Sequence, residues 1–164
     1  MTAWVRGQRV PAPPALGDLP GCGVFVSLHR QGALRGCIGH IVGDKPLAAL
    51  VGEMAVAAAR EDPRFPPVTA DELPGLEVEL SFLSPPRPAR PEEVVPGTHG
   101  VVLRQRGRLG VFLPQVAAEQ RWDRDTLLGE LSHKAGLRRD AWRDPESRLE
   151  IFTAQRVDDA GSNR

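Results

Sequence analysis

Three features of the chain predict an α+β fold in which antiparallel hairpins are interspersed with helices. Val24, Val26 and Leu28 alternate with Phe25, Ser27 and His29, the two-residue period of a half-buried strand. After Arg30-Gln31-Gly32-Ala33, residues Leu34 to Ile38 return as the second strand of a hairpin. An Ala-rich segment follows with Leu47, Leu50, Val51, Met54 and Ala58 at three- and four-residue spacing, the apolar stripe of a core-facing helix. Strands that arrive as hairpins, with helices between the pairs, favour antiparallel sheets.

Taken from the start, residues 1–22 carry Pro11, Pro13, Pro14 and Pro20, and read as an extended arm. The first helix has Asp44 as its expected cap and Pro46 near its first position, and Asp62-Pro63 ends it. Arg64-Phe65-Pro66-Pro67 is then a stiff connector. Leu76, Val78, Leu80 and Phe82 alternate with Glu77, Glu79 and Ser81 as a third strand, broken by Ser84-Pro85-Pro86-Arg87-Pro88. Pro91 to Val95 is a single helical turn. Val101 to Gln105 and Leu109 to Leu113 form a second hairpin about Gly107. A helix over about Asp123 to Ala135 presents Leu127, Leu128 and Leu131 and stops at Gly136. Leu149 to Val157 is predicted as one final strand, and 158–164 as a polar tail that frays.

The totals exclude several classes. The 164 residues suffice for one sizeable core, or for a large lobe with a smaller one. Twenty-one basic residues balance 21 acidic ones, which disfavours a nucleic-acid-coating protein. The dense basic run is Arg104-Gln105-Arg106-Gly107-Arg108, read as a solvated hairpin tip before a binding patch. No stretch has the length and apolarity of a membrane span, and no apolar region after Met1 marks a secretory signal. Two cysteines make no disulfide framework, so the expected compartment is the cytoplasm.

Arg35-Gly36-Cys37-Ile38-Gly39-His40 stands out, because glycines within a strand mark a bulge or a close approach of backbone or ligand. One reading makes Cys37 reactive, as a thiolate favoured by a nearby cation such as Arg35. The other makes it a small buried hydrophobe. In an extended strand Arg35, Cys37 and Gly39 share one face, with Gly36, Ile38 and His40 on the other, so a Cys37–His40 dyad or metal pair points in opposite directions. No metal site is expected, since His29, His99 and His133 show no paired spacing. A two-residue turn at Gln31-Gly32 pairs Cys37 with Val26 and Cys22 with Ile41, too far apart along the ladder for a disulfide. No phosphate-loop, dinucleotide or Gly-x-Ser-x-Gly signature occurs, and no cofactor is expected. Glu77 and Glu79 share a strand face, as an acid/base pair or as its solvent side. His99, between flexible glycines, is a ligand contact or a turn residue.

Leu34-Arg35-Gly36-Cys37-Ile38-Gly39 resembles the signature hexapeptide of the AMMECR domain family. The likeness continues through Asp62-Pro63-Arg64-Phe65-Pro66-Pro67, Glu72-Leu73-Pro74, His99-Gly100 and Phe112-Leu113-Pro114-Gln115-Val116. It ends with Glu119, Trp122-Asp123, Lys134-Ala135-Gly136-Leu137 and Trp142. These motifs stand in the family's order over residues 23–157, which the likeness makes a single domain of a larger and a smaller subdomain with a cleft between them. It implies cleft residues Arg35, Cys37, Arg64, His99 and Gln115, to which Gly36 and Gly39 are added as ligand-facing positions. It also implies a pathway shared with Memo-type and radical S-adenosylmethionine proteins, as possible partners. Two departures stand out. The family's leading amphipathic helix is replaced by the Pro-rich arm, and its frequent cysteine reads Ser132 here. The leading expectation is a cleft-bearing accessory module for a small molecule or peptide. Its rival is an enzyme with Cys37 as nucleophile, His99 as base and Arg35 as anion holder. A nucleic-acid role ranks third.

Overall fold

The structure, a computed structural model, describes residues 21–158. The predicted arm and tail lie outside the described residues apart from their inner ends. The fold is α+β, with antiparallel hairpins in two sheets and helices between them. The described chain divides into two compact units. The first ends at Pro85 and resumes at Gln155; the second is Pro86–Ala154.

In the first unit, β1 (Gly23–Arg30), β2 (Ala33–His40) and β3 (Leu76–Leu83) join β8 (Ala154–Asp158) in the order β2-β1-β3-β8. Helix α1 (Leu47–Arg60) packs Leu47, Leu50, Met54 and Ala58 against Val24, Val26 and Leu28. Leu76, Val78, Leu80 and Phe82 join that core from β3, as their alternation requires. The helix begins later than expected. Pro46 occupies its N-cap with no side-chain cap bond, so Asp44 does not cap it. Proline at that position lacks only an N–H that the first turn leaves unused anyway.

The β1–β2 turn has left-handed Gln31 (φ 53°) and Gly32 (φ 76°), the two positive angles of a type I′ hairpin. Arg30↔Ala33 and His29↔Leu34 pair as predicted. A bulge then shifts the ladder, Gly36 meets Leu28, and Cys37 sits opposite Ser27 rather than Val26. Arg35 is the extra residue.

The second unit holds a sheet ordered β4-β7-β5-β6, from β4 (Arg87–Pro88), β5 (Gly100–Gln105), β6 (Arg108–Phe112) and β7 (Arg148–Phe152). Helix α2 (Pro114–Gln120), not anticipated from the sequence, starts with Pro114 in its first turn and ends at left-handed Arg121 (φ 54°). Helix α3 (Arg124–Lys134) is capped by the Asp123 carboxylate, which accepts from Thr126 N at 2.8 Å. It closes at Gly136 (φ 71°), with Gly136 N donating to His133 O and Leu137 N to Ser132 O. Leu127, Leu128 and Leu131 are buried with Val101, Leu103 and Ile151.

The predicted single strand Leu149–Val157 is instead two. Phe152 is buried directly after buried Ile151, which breaks the alternation, and it fills the space a side chain at Gly100 would need. The chain leaves the second sheet at Thr153 and joins the first as β8. No helix among the described residues is long and apolar enough to cross a membrane.

Candidate functional site

Strand β2 is an edge of its sheet, so the outward N–H and C=O of its middle residues need partners from outside the ladder. At Cys37 those partners come from the connector after α1. Asp62 Oδ2 accepts the Cys37 N–H at 2.8 Å, and Arg64 Nη2 reaches Cys37 O at 3.5 Å. Asp62 also accepts from Arg64 Nε at 2.9 Å, Arg64 Nη2 at 2.6 Å and Arg64 N at 3.1 Å. Its side chain is only 2 % exposed. The Arg64 guanidinium, with the Cys37 and Arg64 amides behind it, holds the Asp62 carboxyl well below the usual range against the opposing pull of burial. Asp62 in turn raises the Arg64 pKa. Arg64 also stacks 5.4 Å over the Phe65 ring.

Beside this pair lies a second. Arg35 Nε and Nη2 grip both oxygens of Glu72 at 2.8 and 2.9 Å, a two-pronged pair. The same guanidinium donates to Pro66 O at 2.8 Å and Pro67 O at 3.4 Å. Glu72 further accepts from Thr69 N at 2.9 Å, Thr69 Oγ1 at 3.1 Å and Arg30 Nη1 at 3.3 Å. Arg35 and then the Thr69 amide lower the Glu72 carboxyl to about 2, and Glu72 raises the Arg35 pKa. The bulge thus delivers Arg35 to the loop.

The Cys37 thiol goes elsewhere. Ser27 Oγ donates to Cys37 Sγ at 3.3 Å, so the expected shared face of Arg35 and Cys37 does not form around a common partner. Across the sheet Ser27 also stands opposite Glu79, which is bonded by Arg156, giving a row Cys37–Ser27–Glu79–Arg156 over four strands. Glu79 is only 16 % exposed and paired, so the reading of it as a plain solvent-side carboxylate is corrected. Cys37 is half-buried and Cys22 buried, and both are free. Cys22 donates to Leu83 O at 2.9 Å, and burial pushes its thiol up.

The flanking glycines are filled by the protein itself. A Cβ on Gly36 would lie 2.1 Å from Ala58 O, and one on Gly39 2.3 Å from the Phe25 ring. Arg35, Gly36, Cys37, Gly39 and Arg64 therefore gather in the first unit. His99 and Gln115 belong to the second. His99 Nδ1 accepts from Val95 N at 3.1 Å, and Gln115 lies half-buried in the first turn of α2. Among the described residues no group of three His, Cys, Asp or Glu is placed to hold a metal.

Sequence reasoning missed Ser27, Asp62 and Glu72 as members of this network. Asp62 carried a usable signal, since a carboxylate two residues before an arginine in a proline-stiffened turn can close a ring onto it. Glu72 stood in the quoted motif Glu72-Leu73-Pro74 without a partner assigned to it, and Ser27 carried no signal beyond its polarity.

The chain is similar to known proteins over nearly its whole length. It is 41 % identical over 168 aligned positions to a protein of Thermococcus gammatolerans, covering 93 % of this chain and 81 % of that one. It is 43 % identical over 140 positions to one of Methanothermobacter thermautotrophicus, covering 81 % and 73 %. The crystal structure of an uncharacterised protein from Pyrococcus horikoshii superposes with a TM-score of 0.88 at 33 % identity, covering 99 % of this chain and 89 % of that one. The AMMECR1 family model matches residues 6–157. With the hexapeptide on β2 and its connector interlocked as described, the chain belongs to the AMMECR1 family.

Proposed function

We propose that this protein is a binding module whose recognition surface is the Cys37 segment of β2 and the connector pinned beside it. The occupant is a small ligand or a peptide segment of a pathway partner of the Memo or radical S-adenosylmethionine type. The observation that carries this reading is that Arg35 and Arg64 are already committed to Glu72 and Asp62. A thiolate nucleophile is activated by a base or a cation at the sulfur, and here the hydrogen-bond donor at Sγ is a serine hydroxyl. Arg35 also holds the Pro66 and Pro67 carbonyls in an exposed, stiff loop next to Phe65 and Arg64, so little conformational entropy is lost when something docks. The cytoplasm is the compartment this reading takes, consistent with two free thiols.

The test is capture of Memo-type and radical S-adenosylmethionine proteins of the same genome by wild type, Phe65→Ala and Cys37→Ser. Binding lost with Phe65→Ala and kept with Cys37→Ser is expected. A rival reading makes Cys37 a nucleophile, favoured by its half-exposure and the Ser27 hydrogen bond. Its signature is iodoacetamide alkylation of Cys37 that slows when His99 is replaced by alanine; an unchanged rate supports the binding module.

A further inference from the structure

The β5–β6 hairpin and the start of β7 carry four arginines around one shallow cavity of about 370 Å³, lined by Arg104, Arg106, Arg108 and Arg148 with Gln105 and Glu146. The turn is tight, with Arg106 (φ 48°) and Gly107 (φ 78°) both left-handed, which sets Arg108 opposite Gln105 and Leu109 opposite Arg104 at the hairpin tip. The sheet register then sets Arg104 directly opposite Arg148. Like charges in that relation repel and destabilise a strand pair.

Neighbouring groups relieve this only in part. Glu150 takes Arg104 through Nε at 3.2 Å, and Glu146 takes Arg106 at 2.6 Å. Arg108 donates to the Gly136 carbonyl. Gln105 is buried and bound to Asp144 at 3.0 Å. Arg148 is exposed and has no carboxylate of its own among the described residues. Two guanidinium forks therefore face one space with a surplus of positive charge.

We infer that this cavity binds a condensed phosphate, the anion bridging Arg104 and Arg148 with Arg106 at the rim. Planar guanidinium groups match phosphate oxygens in pairs, and the space exceeds a single phosphate. The lining has no aromatic ring for a base to stack on, so the phosphate moiety alone is recognised, whether free or as the tail of a nucleotide. This site is independent of the one around Cys37.

The experiment is calorimetric titration of the full chain with pyrophosphate, ATP and adenosine at fixed ionic strength, sulfate serving as the control anion. Saturable binding of pyrophosphate and ATP with similar affinity, and none of adenosine or sulfate, is expected. Arg148→Ala should weaken pyrophosphate about tenfold or more, Arg148→Lys less, and Arg90→Ala on the same unit not at all. Because Arg148→Ala removes a like-charge pair, its melting temperature without anion should equal or exceed that of wild type, which separates lost binding from lost folding. Binding of ATP without pyrophosphate, equal weakening by Arg90→Ala, an unchanged affinity in Arg148→Ala, or no saturable binding would each overturn the inference.

Discussion

Asp62 Oδ2 stands 2.8 Å from the backbone nitrogen of Cys37, 25 residues away in sequence, and does there what a neighbouring strand would do. The edge of β2 is closed at its middle by a side chain rather than by another strand. The carboxylate that accepts this amide is itself held by three donors of Arg64, so the connector after α1 and the signature strand form one locked unit. An edge so covered resists pairing with another chain.

Removing that acceptor should be costly. In Asp62→Ala the Cys37 amide loses its partner and Arg64 its counter-charge, and the expected loss is about 2–4 kcal/mol in urea unfolding with an unchanged slope. Asp62→Asn keeps an acceptor for the amide and should lose less. Equal losses in the two variants would show that the ion pair, not the amide, carries the stability.

Acid should loosen the same region. Glu72 has its folded pKa lowered from 4.5 to about 2, and Asp62 is lowered as well. A depressed carboxylate stabilises the fold above its unfolded pKa and loses that contribution as pH falls through the folded value. Stability should therefore decline from about pH 4.5 toward pH 2, and Glu72→Gln should flatten the slope in that window. A slope identical to wild type in Glu72→Gln would remove Glu72 from the account.

Two glycine-to-alanine changes should differ in sign. Gly36 faces Ala58 O, which a Cβ would approach to 2.1 Å, while Gly52 on the α1 surface has nothing within 4 Å. Gly36→Ala should cost about 1–3 kcal/mol through overpacking against backbone, and Gly36→Val more. Gly52→Ala should gain up to about 1 kcal/mol from helix propensity. Thermal midpoints of the two variants, measured side by side, decide the matter.

The hairpins, the α1 stripe and the α3 face were legible in the sequence because each rests on periodicity within a short window. The bulge at Arg35 was legible only as one of two meanings of the neighbouring glycines, a bulge or a close approach. Its pairing with Glu72, 37 residues downstream, was not, because long-range pairing leaves no mark on local alternation. The same holds for the site: Arg35, Cys37 and Arg64 drew notice, yet their partners Glu72, Ser27 and Asp62 are joined to them only by folding. Asp62 read as the end of the first helix and the start of a family motif, with nothing to join it to Cys37. The split at Thr153 escaped because Leu149–Val157 holds no Gly or Pro to mark a break, and which sheet each half joins is a tertiary choice.

The row from Cys37 to Ser27 gives the last prediction. Ser27 is buried, 9 % exposed, and its hydroxyl donates to Cys37 Sγ at 3.3 Å. In Cys37→Ser an oxygen replaces the sulfur as acceptor at a half-buried position, so stability should change by less than about 1 kcal/mol. Cys37→Val keeps the bulk but offers no acceptor, leaving the buried Ser27 hydroxyl without its partner at a cost of about 1–3 kcal/mol. That cost should vanish when Ser27→Ala is combined with it, since neither group then seeks the other. A double-mutant cycle in urea reads the coupling directly. If Cys37→Val costs the same in the Ser27→Ala background, the thiol–hydroxyl contact holds nothing, and Cys37 sits on β2 for the space it fills.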